Sequence, residues 1–280
     1  MEYKLSIVTI NYNDKDGLEK TINSVIGQTF RDFQYIIIDG DSNDGSKDIL
    51  LKYQDELDVA ISEKDSGIYN AMNKGASYAK GEYLLFLNSG DELYDDTVLS
   101  QVFINKPATD IVSCQCLNYD AKHRWLKIPP KNVSLFTFTG GSLPHPSSFI
   151  KKTLFDKIGG YIETYKIISD WCFFIDALLV EQCSYSTLPI TTTKFNCFGI
   201  SSTNSSLENE ACFAFLRQRF GRIMDDYVSI EDEPICNSLY WITMQRGLLK
   251  RIFKFPFQVL NRLINGRNYL SKRMGVKQMR

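Results

Sequence analysis

Short apolar runs alternate with amphipathic stretches along the first hundred residues. The runs at 5–10 (LSIVTI) and 33–39 (FQYIIID) are rich in β-branched and aromatic residues, which is typical of strands buried on both faces of a parallel sheet. Between them, apolar side chains recur at helical spacing. These positions are Leu18, Ile22, Val25 and Ile26. The pattern predicts a strand, a helix that packs on the sheet, and a second strand.

Two further units repeat this alternation. Ser46 is a predicted helix cap after the second strand, and residues 58–62 and 81–88 are predicted strands. The apolar helix positions are Ile49, Leu50, Tyr53 and Leu57 in one unit and Ile68, Met72 and Ala79 in the next. Four such alternations in about a hundred residues favour an α/β fold whose first half is a doubly wound parallel sheet.

The chain from residue 96 onwards has a less regular pattern. A helix is predicted at 97–103, and strands at 110–118 and 124–128 are expected to extend the sheet with a smaller mixed one. A further helix is expected to open at Asp170, with its apolar positions facing the body of the protein. Those positions are Phe174, Ala177 and Leu178.

Polar side chains follow the predicted strands of the first half, and all of them fall on the same edge of the sheet. The carboxyl ends of parallel strands meet in the crevice where open α/β sheets bind ligands. The residues expected to converge there are Thr9, Asn11, Asp39, Asp41, Asp65 and Asp91. A solvated turn rich in Asp and Asn is the alternative for the loop at 39–46.

The usual phosphate-binding glycine patterns are absent from this crevice, because the first strand is followed by neither G-x-G-x-x-G nor a P-loop lysine. Carboxylates offer another way to hold a nucleotide. They can accept hydrogen bonds from a base or ribose, or bind Mg²⁺ or Mn²⁺ that in turn binds phosphate. The sequence therefore predicts a nucleotide site built on acidic loops.

Lysine and arginine are concentrated near the C-terminal end. Residues 246–280 hold ten of the 32 basic residues and no acid, so residues 1–245 carry 22 basic and 33 acidic side chains. Helices are predicted at 208–227 and 238–254, and the second is basic and amphipathic, like helices that lie in a membrane interface. We expect peripheral membrane contact through 246–280. Docking on the rest of the chain and a homodimer interface are the alternatives, and no nucleic-acid partner is expected.

Several features favour a cytoplasmic location. The N-terminal residues show no secretion signal, and no window reaches the roughly 18 to 20 apolar residues that span a bilayer. Seven scattered cysteines suit a reducing compartment better than a disulfide framework. Cys114 and Cys116 are interpreted as neighbouring strand residues rather than zinc ligands, since no second ligand pair accompanies them.

Four ordered blocks resemble the signature blocks of family 2 glycosyltransferases. They are TINYN at 9–13, IDGDSNDGS at 38–46, DSGIYNAMNKG at 65–75 and YLLFLNSGDE at 83–92. The resemblance is strong over residues 4–95 and extends to about residue 200. It implies a GT-A fold and an enzyme that takes a sugar from a nucleoside diphosphate sugar and inverts the anomeric centre.

The resemblance also implies roles for single residues. Thr9 and Asn11 would line the nucleotide pocket, and Asp39 would accept a hydrogen bond from the base. Asp65 and Lys74 would lie near the base, ribose or diphosphate. Asp41 belongs to the same nucleotide-binding block as Asp39.

The metal block departs from the family pattern. The family usually has Asp-x-Asp-Asp, whereas this chain has Asn-Ser-Gly-Asp at 88–91, so a single carboxylate remains. Asp91 is predicted to bind the Mn²⁺ or Mg²⁺ that bridges the diphosphate, and Asn88 to bond to the ribose or sugar. A weaker metal site is the expected consequence. A plain turn residue is the alternative for Asp91.

The acceptor side is predicted from the second half of the chain. By the resemblance, Asp170 is the general base that an attacking hydroxyl requires; a helix cap is the alternative. His145, between two prolines, is expected near the acceptor or phosphate, or else is structural. Trp171 is expected either to stack on a sugar or to pack in the core.

The predicted organisation is a GT-A catalytic domain at 1–203 and a helical basic extension at 204–280. The domain has a nucleotide-binding half at 1–95 and an acceptor half at 96–203. The predicted reaction is transfer of a sugar from a UDP-sugar to a hydroxyl of a glycan or polyprenol-linked acceptor. A catalytically inactive nucleotide-sugar-binding module is the alternative.

Overall fold

The computed structural model describes residues 2–139, 141–197 and 205–221. Residues 1–212 form one compact unit, and a second unit begins at Phe213. Nine strands of the described residues form one mixed sheet. They are β1 Tyr3–Asn11, β2 Phe33–Asp39, β3 Val59–Ser62, β4 Gly81–Phe86, β5 Glu92–Leu93, β6 Ile111–Tyr119, β7 Arg124–Lys127, β8 Ser148–Lys151 and β9 Tyr185–Asn196.

Helices lie between these strands in the chain. They are α1 Lys15–Ile26, α2 Ser46–Lys52, α3 Ile68–Tyr78, α4 Val98–Ile104, α5 Leu135–Thr139, α6 Lys152–Ile158, α7 Ser169–Ile175 and α8 Ser205–Phe220. Two short 3₁₀ turns, Gln54–Glu56 and His145–Ser147, and a π-helical turn, Asp176–Val180, complete the described elements. No helix among the described residues is long and apolar enough to cross a bilayer.

The first half of the chain forms the predicted parallel sheet. Strand β1 pairs in parallel with both β2 and β4, and β2 pairs in parallel with β3. From Leu5 to Asn11 every residue of β1 is buried, which explains why its sequence is a nearly continuous apolar run. Helix α1 covers one face with Leu18, Ile22 and Val25, none of which is exposed. The predicted α/β class is confirmed.

The second half continues the same sheet. The full strand order is β3-β2-β1-β4-β8-β6-β9-β5, with β7 paired to β6. Strand β8 is antiparallel to β4 and β6, whereas β9 runs parallel to β6 and antiparallel to β5. The predicted smaller mixed part is therefore continuous with the parallel part.

Close packing between strands depends on a glycine at the start of β4. A Cβ atom at Gly81 would lie 2.4 Å from the Leu5 carbonyl carbon and 2.4 Å from the Ser6 nitrogen. Both neighbours are backbone atoms of β1, which cannot move aside as a flexible side chain can. This position therefore requires glycine.

The helix cap predicted at Ser46 is wrong, and so is the cap given as the alternative role of Asp170. Ser46 is the first residue of α2, and the cap position is held by Gly45, whose φ of 96° suits glycine. The Ser46 hydroxyl instead donates to Asp44 Oδ1 at 2.6 Å. Similarly, Asp170 lies in the first turn of α7, and Ile168 occupies the cap position. Helix α2 ends at Lys52, before the predicted helix positions Tyr53 and Leu57, because the chain continues as the 3₁₀ turn Gln54–Glu56.

Several predictions fall outside the described residues. The helix predicted at 238–254, the membrane contact through 246–280 and residues 222–227 of the helix predicted at 208–227 all belong to this group. The domain boundary predicted at 203/204 also remains a prediction.

Candidate active site

The ends of three parallel strands meet at one edge of the sheet. The Gly40 amide, just after β2, donates to the Asn11 carbonyl at the end of β1, at 2.9 Å. The Ser89 amide, just after β4, donates to the Ile10 carbonyl at 3.0 Å. The loops that follow β1, β2 and β4 are thus neighbours, as the parallel pattern predicts.

Asp39 is fully buried at this edge, and its carboxylate accepts four hydrogen bonds. Oδ1 accepts from Asn11 Nδ2 at 2.7 Å and from the Ser42 hydroxyl at 2.5 Å. Oδ2 accepts from the Ser42 amide at 3.0 Å and from the Ser62 hydroxyl at 2.6 Å. These donors fill the acceptor capacity of one carboxylate. A base N–H would have to displace one of them, and base recognition by Asp39 stays a prediction.

Thr9 does not reach the crevice with its side chain. It is fully buried, and its hydroxyl lies 3.2 Å from the Tyr35 hydroxyl. Tyr35 belongs to the hydrophobic core beneath α1 and α2. The predicted nucleotide contact by Thr9 is not favoured by this burial, whereas Asn11 lies directly beside Asp39.

The remaining nucleotide-site candidates surround this centre. Asp65 Oδ2 lies against the backbone of Gly40, since a Cβ there would be 2.8 Å from it. Asp41 pairs with Lys47 at 2.5 Å, and the hydrogen bond from Lys47 lowers the pKa of Asp41. Lys74 pairs with Glu63 at 2.7 Å. Asp65 thus lies against the residue that follows Asp39, whereas Lys74 already has an acidic partner.

Asp91 is buried, with 3% of its surface exposed. Its Oδ1 accepts from the Asn196 amide of β9 at 3.1 Å. Burial raises the pKa of Asp91 to about 8, against the opposing effect of this hydrogen bond. A carboxylate in such a place favours a proton or a cation beside it.

The residues near Asp91 provide few metal ligands. No group of three or more His, Cys, Asp or Glu residues in the described part of the chain could hold an ion. The Asn88 Oδ1 atom is buried and has no hydrogen-bond partner among the residues that the structure describes. One carboxylate and one amide oxygen fit a divalent ion whose other ligands come from substrate phosphates and water.

Asp170 lies beside α3, the helix that follows the Asp65 loop. The Tyr69 hydroxyl of α3 donates to Asp170 Oδ1 at 2.7 Å and also contacts the Ile167 carbonyl. Burial, and then the charge of Asp170, raises the pKa of Tyr69 well above its usual value, so Tyr69 remains a neutral donor.

A second set of hydrogen bonds, made by Asn73 of α3, holds the loop that leads to Asp170. Asn73 donates to the Tyr161 carbonyl at 2.8 Å and accepts from the Tyr161 amide at 2.8 Å. It also donates to Glu163 at 3.0 Å. These bonds connect Asp170 to the same element that carries the nucleotide-side loop.

His145 and Trp171 lie next to this region, and both have structural contacts. His145 Nε2 lies 2.7 Å from the Tyr161 hydroxyl, and its ring stacks on Phe86 at 5.6 Å. Burial lowers the pKa of His145. Trp171 is buried and donates to the Phe138 carbonyl at 3.1 Å. The contact of Trp171 with a sugar is therefore not favoured, and both substrate roles stay predictions.

The structure adds residues that the sequence interpretation did not assign. Ser42 and Ser62 donate to Asp39, and Tyr69 donates to Asp170. Lys127 of β7 is partly buried opposite Cys116. Ser42 and Tyr69 stand within blocks that were recognised, so their positions carried a usable signal. Lys127 stands outside every block.

Comparison with known proteins identifies the family. The model for Glycosyl transferase family 2 matches residues 6–170. An uncharacterized glycosyltransferase of Mycobacterium tuberculosis (strain ATCC 25618 / H37Rv) is 30% identical over 252 residues, which are 85% of this chain and 94% of that protein.

Solved structures share the fold. The chain resembles S. aureus TarS 1-349 in complex with UDP-GlcNAc, with a TM-score of 0.62 and 20% identity over 77% of this chain and 65% of that one. It also resembles the mannosyltransferase PcManGT from Pyrobaculum calidifontis in complex with GDP-Man and Mn²⁺, with a TM-score of 0.55 and 14% identity over 80% and 65% of the two chains. The predicted GT-A fold is confirmed, and the chain belongs to glycosyl transferase family 2.

Proposed function

We propose that this glycosyltransferase moves a sugar from a UDP-sugar to a hydroxyl of a glycan or polyprenol-linked acceptor, with inversion, at the cytoplasmic face of a membrane. The observation that supports this most is the position of Asp170. Tyr69 of α3 holds it by a hydrogen bond, and α3 follows the loop that brings Asp65 to the backbone of Gly40. A structural relative that binds UDP-GlcNAc supports the choice of UDP.

In the proposed reaction, Asp170 accepts the proton of the acceptor hydroxyl as its oxygen attacks the anomeric carbon. Tyr69 holds Asp170 Oδ1 and leaves the other carboxylate oxygen for the acceptor. The bond from the anomeric carbon to the diphosphate breaks, and its electron pair leaves on the phosphate oxygen. Inversion follows, since the attacking oxygen and the departing group lie on opposite faces of the sugar.

Asp91 and Asn88 are the residues that would hold a divalent ion. When bound, Mn²⁺ or Mg²⁺ supplies positive charge to the leaving diphosphate. A structural relative contains Mn²⁺. The metal dependence of this chain belongs to the proposal.

The test is a panel of nucleotide sugars, with acceptor transfer and donor hydrolysis measured with and without Mn²⁺. Asp170→Asn is expected to lower the rate of transfer by about 10²- to 10⁴-fold and to leave UDP affinity unchanged. Asp48→Asn is the matched control, because Asp48 is an exposed acid in the first turn of α2. It is expected to behave as the wild type does.

The same experiment separates the enzyme from an inactive nucleotide-sugar-binding module. A binding module would bind UDP, turn over no member of the panel, and show no change on substitution of Asp170. That set of results would contradict the proposed function.

A further inference from the structure

Lys127 is a partly buried lysine at the end of β7, opposite a buried residue of β6. It is the last residue of β7 and pairs with Cys116 of β6. Along β7, Arg124 and Leu126 are exposed, whereas Trp125 and Lys127 are partly buried. Residues opposite each other in an antiparallel pair share a face, so Lys127 lies on the face of Cys116, which is 1% exposed.

The ammonium group of Lys127 has few hydrogen-bond acceptors close to it among the described residues. Its one hydrogen bond among the described residues reaches the Leu143 carbonyl at 3.4 Å, which is long for such a bond. No carboxylate of the described residues forms an ion pair with it, whereas Lys74, also partly buried, pairs with Glu63 at 2.7 Å. A lysine has three N–H donors, and a desolvated charge without partners is costly.

The surroundings of Lys127 include the segment that leads to His145. The Leu143 carbonyl that it contacts stands two residues before His145. Burial lowers the pKa of Lys127, and the charge of Asp170 opposes that effect. Cys116, its partner across the strands, is within the electrostatic influence of both Asp91 and Lys127. Lys127 thus lies close to the loop that carries His145 and within the influence of the charge of Asp170, the predicted base.

We propose that Lys127 binds the diphosphate of the nucleotide-sugar donor and stabilises the negative charge that forms on it as the sugar leaves. This inference rests on the proposed function. In that step the acceptor oxygen bonds to the anomeric carbon, and its proton goes to Asp170. The bond between the anomeric carbon and the phosphate oxygen breaks, and the electron pair stays on that oxygen, beside the Lys127 ammonium.

This role explains how a member of the family can transfer sugar although its metal-binding block at 88–91 keeps a single carboxylate. The chain has asparagine at position 88 and a single carboxylate at Asp91, so its ion site has few protein ligands. A fixed ammonium supplies part of the missing positive charge. Unlike a surface lysine, it is already partly desolvated and so interacts more strongly with phosphate.

The test is isothermal titration calorimetry of the full chain in EDTA, with UDP, UMP and inorganic pyrophosphate as probes. Lys127→Met removes the charge and keeps the length of the side chain. It is expected to weaken binding of UDP and pyrophosphate about ten- to a hundredfold and to leave UMP binding unchanged. Lys127→Arg keeps the charge and is expected to lose less.

Lys122→Met is the matched control, because Lys122 is exposed in the turn between β6 and β7. It is expected to bind all three probes as the wild type does. The proposal would be overturned if Lys122→Met and Lys127→Met lost equal affinity for UDP, or if Lys127→Met lost as much affinity for UMP as for UDP. Equal losses of affinity in Lys127→Arg and Lys127→Met would overturn it too. A melting temperature for each variant confirms that the titrated protein is folded.

The titration does not depend on turnover. If no nucleotide sugar is transferred but Lys127→Met still loses UDP affinity, the proposed function fails and the diphosphate site stands. If transfer is normal and Lys127→Met binds UDP as the wild type does, only the role of Lys127 fails.

Discussion

His145 is a titratable side chain surrounded by aromatic rings. The Tyr161 hydroxyl lies 2.7 Å from Nε2, and Phe86 and Phe174 pack around the ring. Burial raises the pKa of Tyr161 well above its usual value, so Tyr161 keeps its proton and can donate it to Nε2. A neutral imidazole fits this arrangement, whereas an imidazolium would lose that acceptor.

The lowered pKa of His145 predicts a pH-dependent stability. Asp170 raises this pKa and Lys127 lowers it, and burial outweighs both. Below pH 6.5 the unfolded chain binds a proton at His145 that the folded protein resists, so stability is lost as the pH falls from about 6.5 towards the folded pKa. Each unit of difference contributes about 1.4 kcal/mol.

Urea unfolding between pH 5.5 and 7.5 measures this dependence. His145→Gln is expected to flatten the curve, whereas His123→Gln is expected to leave it unchanged, because His123 is exposed and is the only other histidine. A curve that is equally steep in wild type and His145→Gln would show that other groups cause the acid sensitivity.

At the scale of elements, the contact between β1 and β4 leaves no room for a side chain at Gly81. Gly81→Ala would place a Cβ 2.4 Å from two backbone atoms of β1. The strands would have to separate, and we expect a loss of about 1 to 3 kcal/mol in the free energy of unfolding. Chemical denaturation measures this loss.

Gly141→Ala is the control for that substitution. A Cβ at Gly141 would meet no atom within 4 Å, so its stability is expected to stay near that of the wild type. A loss as large as that of Gly81→Ala would attribute the effect to glycine replacement in general rather than to close strand packing.

The strands differ in how well their sequence predicts them. Strand β2 begins and ends at the predicted residues, Phe33–Asp39, because burial on both faces demands a continuous apolar run. Strand β9, Tyr185–Asn196, was not predicted. Its residues are mostly half-buried and many are Thr, and its two partners, β6 and β5, lie far away in the chain. Local periodicity carries no information about such pairing.

The candidate site likewise contains residues whose positions the sequence predicts and residues whose positions it does not. Asn11 and Asp39 were predicted as neighbours and are hydrogen-bonded at 2.7 Å, because strand ends in a parallel sheet share an edge. The burial of Thr9 against Tyr35 was not foreseen. Thr9 lies two residues before the end of β1, within a fully buried run, so its side chain stays inside the sheet's core instead of reaching the edge. The position of Lys127 depends on the orientation of a hairpin, which no block of the sequence specifies.

At the scale of the whole molecule, charge is divided unevenly along the chain. Residues 246–280 lie outside the described residues, and their ten cations without an acid predict attraction to anionic lipid. Each cation near such a surface contributes about 1 kcal/mol. We expect the full chain to sediment with anionic vesicles, and deletion of 246–280 to abolish most of that binding.

Vesicles of neutral lipid are the control. Both chains are expected to sediment with them less than the full chain does with anionic vesicles. Equal sedimentation of the full and shortened chains with anionic vesicles would contradict the membrane role of this segment.

The bond between the Asn196 amide and Asp91 Oδ1 joins residues that stand 105 positions apart. During synthesis, the parallel half emerges from the ribosome first and can fold while the rest of the chain is still being made. Asp91 nevertheless lacks its β9 partner until residue 196 has left the exit tunnel. In a nascent chain the contacts of Asp91, the predicted metal ligand, are therefore completed only after β9 has emerged.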